Sequence, residues 1–115
     1  MNYIDTHCHL DGEEFAADRE AVVQRAREAG CTAVFLPAID VASCHTVLDV
    51  CRQYPGFCRP MLGLHPEEVR ADWRDQLLAI RNTLKERMFN VNYTIPCASI
   101  ALATFMKPAT FAPLT

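Results

Sequence analysis

The chain has 115 residues, half of them hydrophobic and 22% charged, with a formal net charge of -3. That length suits one small domain, and that composition is that of a globular rather than a disordered chain. The slight acidity excludes a bulk basic face for nucleic acid, so a phosphate-bearing substrate has to be held by a metal or a few local arginines.

The first predicted element is a strand, Tyr3 to Cys8, leading into Asp5-Thr6-His7-Cys8-His9. Side chains in a strand alternate faces, so a strand running to His9 places Asp5, His7 and His9 on one face. Two imidazoles projecting together can grip one divalent metal through neutral ring nitrogens, with a carboxylate one step back. An H-x-H triplet by itself is a weak signal, and two surface histidines on an edge strand would look the same. The flanking acids Asp5 and Asp11 strengthen it.

A helix follows from about Asp18, its N-cap, to Ala29, with Ala21, Val22, Ala26 and Ala29 at helical spacing and Gly30 as the stop. Thr32 to Leu36, closed by Pro37, reads as a buried parallel strand. Ser43 caps a second helix, in which Val47, Leu48 and Cys51 share a face, and Tyr54-Pro55-Gly56 ends it. A third strand runs from about Phe57 to Leu64, although Pro60 removes a ladder donor. After Gly63-Leu64-His65-Pro66, Asp72 caps a third helix whose Trp73, Leu77, Ile80 and Leu84 form a core stripe.

Three strand-helix units in succession imply a parallel α/β sheet. Chemistry in such folds sits at the carboxyl ends of the strands. His7, His9 and His65 are therefore expected on one rim, with His45 apart from them as a solvated helix residue and Arg59 near the rim but solvated. The lesser reading of His65 is a turn residue before a helix-starting proline.

From residue 88 the composition changes: every Asp and Glu and all four histidines precede it, and Lys107 is the one later basic residue. Phe89, Val91, Tyr93 and Ile95 alternate with polar residues as in a half-exposed strand. Residues 88–115 are either a small native closing element or, the favoured reading, a divergent tail, frameshifted or disordered, joined to a truncated domain. The opening residues lack the apolar stretch of a signal peptide, and Cys97 to Met106 is too short for a membrane span. The six cysteines form no CxxC pair and read as reduced thiols, mostly core residues, in a cytoplasmic protein.

Ile4-Asp5-Thr6-His7-Cys8-His9-Leu10-Asp11 and, further on, Leu62-Gly63-Leu64-His65-Pro66-Glu67 together resemble the TatD family of metal-dependent hydrolases. The resemblance covers about residues 2 to 87. It implies a (β/α)8 TIM-type barrel, of which about three units are present here, with one or two divalent ions (Mg, Mn or Zn) at the carboxyl rim. It implies hydrolysis of phosphodiesters in nucleic acid, with His7 and His9 as metal ligands and His65 as a catalytic residue touching substrate phosphate or the water on the metal. Asp5 is read either as orienting an imidazole or as bonding backbone amides. The family pattern continues with a strand-four Gly-Glu-x-Gly-Leu-Asp segment, two later histidines and a late aspartate, none of which occurs in this chain. The expectation is thus an inactive truncation with weak metal binding. The alternatives are a PHP-type phosphoesterase, against which Gly-Leu-His-Pro argues, and a non-enzymatic gene remnant.

Overall fold

A computed structural model of the chain describes residues 1–88. Three parallel strands, β1 (Tyr3–Asp5), β2 (Cys31–Pro37) and β3 (Cys58–Met61), form a sheet in the order β1-β2-β3. Between and after them run α1 (Arg19–Glu28), α2 (Val41–Gln53) and α3 (Trp73–Thr83), the last continued by a π-helical turn, Leu84–Met88. The expectation of an alternating, parallel α/β chain matches this arrangement. The tail strand Phe89 to Ile95, Cys97 and all of the divergent segment after Met88 lie outside the described residues.

One core explains the layering. Val34 and Leu36 of β2 and Cys58 of β3 pack with Val23 of α1, Cys44, Val47, Leu48 and Cys51 of α2, and Ile80 of α3. Because strand side chains alternate, Phe35 and Arg59 point to the opposite face of the sheet, where they sit side by side in register. Both are half-buried, so Arg59 is not the fully solvated residue its sequence context suggests.

The helix stripes hold except on α1, and the caps change: Asp18 and Asp72 occupy the N-cap positions of α1 and α3 without a side-chain cap bond. On α1 the buried residue is Val23, flanked by partly buried Val22 and Ala26, whereas Ala21 and Ala29 are exposed. On α2 the N-cap is Asp40 rather than Ser43. Asp40 Oδ1 accepts from Ser43 N at 2.8 Å, and Ser43 Oγ accepts from Asp40 N at 2.9 Å and Ile39 N at 2.8 Å. This is a capping box, in which two donors that the helix leaves unpaired are satisfied reciprocally.

Gly30 has φ +102°, and a Cβ there would collide with the Met1 carbonyl oxygen. Its stop between α1 and β2 thus depends on glycine. Pro60 is fully buried within β3 yet breaks no ladder. The Phe57 and Met61 carbonyls accept from Val34 N of β2 and Ala38 N just after it, so by the period of two the Pro60 nitrogen faces the open side of the sheet.

Candidate metal centre

The histidine pair is not on the strand. β1 ends at Asp5, and His7 and His9 lie in the segment that follows. The cause is local: Asp5 Oδ1 accepts from His7 N at 3.1 Å and turns the chain there. The Cys8 amide still donates to Phe35 O at 3.1 Å, so the segment stays beside β2. Strand alternation therefore does not set the histidines' common direction, yet their rings meet edge to face with centroids 5.0 Å apart. Both are exposed. That separation is short enough for both rings to reach one divalent ion through metal–nitrogen bonds of about 2.0–2.1 Å.

The charge around the pair suits a cation. Cys8, between the two histidines, has its thiol pushed up first by burial and then by the carboxylates of Asp5 and Asp11. Two negative groups thus act on the H-x-H segment from either side. Asp5 bonds a backbone amide, one of the two tasks the sequence left open for it. Among the described residues no group of three or more His, Cys, Asp or Glu is placed to hold a metal. The residues present fit part of a divalent site, two imidazoles with acidic neighbours, and fall short of the three protein donors usual in catalytic sites.

His65 lies after β3, at the same end of the parallel sheet as the segment after β1. Its backbone N donates to Ile39 O at 2.7 Å, fastening it to the chain that leaves β2. Its Nδ1 accepts from Glu67 N at 3.0 Å, capping the turn Pro66–Glu68. A neutral ring that accepts at Nδ1 carries its proton on Nε2, which leaves an N–H donor on the exposed side chain. His45 stands apart on α2, exposed, with its Nδ1 3.1 Å from Arg87 Nη1.

Reasoning from sequence missed the contacts that pin the loop after His9. Arg19 donates to the carbonyls of Leu10, Asp11 and Gly12, and Thr46 donates to Asp11. Thr46 and Asp11 are 35 residues apart, so no local spacing announces their meeting.

Against known proteins, the TatD related DNase family matches residues 4–92. The chain belongs to that family. It is 41% identical over 85 residues to the uncharacterized metal-dependent hydrolase YjjV of Escherichia coli K12, a match covering 74% of this chain and 32% of YjjV. It is 30% identical over 82 residues to the 3'-5' ssDNA/RNA exonuclease TatD of Erwinia tasmaniensis, covering 71% of this chain and 31% of that protein. The crystal structure of YjjV aligns with a TM-score of 0.63 at 34% identity, over 74% of this chain and 32% of that one. The chain thus spans about a third of the length of these relatives, and its three strand-helix units are part of a (β/α)8 barrel.

Proposed function

We propose that this chain carries the first part of the active site of a divalent-metal-dependent phosphodiesterase acting on nucleic acid. The observation that supports it most is the His7–His9 pair, 5.0 Å apart at the carboxyl end of a TatD-family sheet. The names of its relatives, an ssDNA/RNA exonuclease and a metal-dependent hydrolase, point the same way.

In this reading His7 and His9 hold the ion through their ring nitrogens. A divalent ion held there would supply a water nucleophile near neutral pH and neutralise charge on phosphoryl oxygens. Asp5 stiffens the turn that presents His7. His65 offers its Nε2–H to a phosphate oxygen, with the Glu67 amide fixing the tautomer that makes it a donor. The free thiols of the five described cysteines suit a reducing compartment such as the cytoplasm. No helix among the described residues is long and apolar enough to cross a membrane.

The 115 residues alone bind the ion weakly and hydrolyse little. No Asp, Glu or His occurs after Glu86 to complete the donor set, and residues 88–115 are proposed as sequence divergent from the barrel. The test is to incubate the chain with Mn²⁺ and single-stranded DNA and measure nucleotide release. Release close to the metal-only blank is expected. Robust release that is abolished by His7→Ala would overturn the account of a partial site, while supporting the ligand role of His7.

A further inference from the structure

The loop after His9 is held from two sides. Arg19, the first residue of α1, spreads its guanidinium over three successive carbonyls. Nε donates to Leu10 O at 2.9 Å, and Nη2 to Gly12 O at 3.2 Å and Asp11 O at 3.4 Å. From α2, Thr46 Oγ1 donates to Asp11 Oδ2 at 2.9 Å. Within the loop, Gly12 N donates to His9 O at 3.0 Å, and the Leu10 side chain is sunk in the core. Asp11 Oδ1 is buried with no partner among the described residues.

These contacts ask for particular side chains. A guanidinium presents its N–H donors in a rigid fork, whereas an ammonium offers one compact point charge that cannot span three carbonyls in the same way. A carboxylate with one buried oxygen unpaired is costly, so Asp11 is not placed for its own stability. It joins the loop to α2 through Thr46.

We infer that Arg19 and Thr46 are positioning residues: through the Leu10–Gly12 backbone and the Asp11 carboxylate they fix the turn that sets the His9 imidazole beside His7 for a divalent cation. The inference rests on the metal reading of His7 and His9. Its physical basis is preorganisation, since ligands that are already ordered lose less freedom when the ion binds.

The test uses the full 115-residue chain as wild type, Arg19→Ala, Arg19→Lys and Thr46→Val. Hydrogen exchange at the Gly12 amide, without metal, reports whether the loop turn is ordered. Titration with Mn²⁺, read as paramagnetic broadening of the His7 and His9 ring protons, reports the site. In Arg19→Ala, Gly12 exchange is expected to accelerate while the core amides of Leu36 and Leu48 keep their protection. The Mn²⁺ concentration that half-broadens His9 is expected to rise about 10-fold, the lower end of what losing a ligand-orienting group costs. Arg19→Lys should behave like Arg19→Ala, and Thr46→Val should show the same changes at smaller size.

Thr46→Val exchanges a hydroxyl for a methyl at an exposed helix position, so it carries the test if Arg19→Ala fails to fold. Wild-type broadening at both histidines, with Gly12 exchange and His9 broadening unchanged in the folded variants, overturns the inference alone. Absence of broadening in the wild type overturns the metal reading and this inference with it.

Discussion

The Nδ1 of His65 accepts the backbone N–H of Glu67 at 3.0 Å, so one imidazole both starts a turn and keeps its other nitrogen as a donor. The two tasks separate by substitution. His65→Asn retains a side-chain acceptor for the cap, and its unfolding midpoint in urea should stay near that of the wild type. His65→Ala removes the acceptor and is expected to cost about 0.5–1 kcal/mol in the same titration. A loss from His65→Asn as large as that from His65→Ala would contradict the cap.

Ser43 connects the capping box to the rim. Its hydroxyl accepts from Ile39 N and Asp40 N, and Ile39 O in turn receives the His65 amide. Ser43→Ala leaves two part-buried amides without that acceptor. A stability loss of roughly 1–2 kcal/mol is expected, measured by urea denaturation at neutral pH.

The buried thiols predict how stability varies with alkali. Burial pushes Cys44 and Cys58 up to about 12, and raises Cys51 as well. An unfolded thiol releases its proton near pH 8.5, so above that point the unfolded chain binds fewer protons than the folded one. Stability is therefore fully present below about pH 8.5 and falls as pH rises toward 12, by up to roughly 1.4 kcal/mol per pH unit for each such thiol. The check is the urea midpoint from pH 7 to 10.5: a flat profile would contradict the burial of these groups. In the folded chain, the same thiols should react slowly with a disulfide reagent at pH 8.

Tyr3 and Ile4 are exposed on β1, which pairs only with β2 among the described residues. An apolar strand at a sheet edge invites pairing with another chain. Ile4→Lys is expected to lower concentration-dependent association in sedimentation velocity without lowering the unfolding midpoint. Association equal to that of the wild type would show that this edge is not the sticky one.

Elements bounded by strong punctuation are legible in the sequence alone. Thr32 to Leu36 is a short, largely apolar run between Gly30 and Pro37, and the central strand forms there, over Cys31–Pro37. Val47, Leu48 and Cys51 share a face with Cys44 at steps of three and four, so the period of α2 is readable although Val50 is buried as well. Along α1 the period is ambiguous, since alanines at 21 and 29 imitate a stripe that burial assigns to Val22, Val23 and Ala26.

The site is legible as residues and not as geometry. His7, His9 and His65 stand out by spacing and resemblance, but the short β1 depends on one side chain, Asp5, capturing the His7 amide. A pattern of alternation cannot register that capture. Contacts of Arg19 and Thr46 with the loop are set by the docking of α1 and α2, which only the folded chain reveals.

The most direct measurement grafts residues 1–87 of this chain in place of the matching segment of the Erwinia tasmaniensis exonuclease, with a melting curve to establish folding. The folded chimera is expected to release nucleotides from the 3' end of single-stranded DNA with added Mn²⁺, and His7→Ala or His9→Ala is expected to reduce that release by at least about 100-fold. A folded chimera that is equally active with both histidines replaced would contradict the claim that they hold the metal.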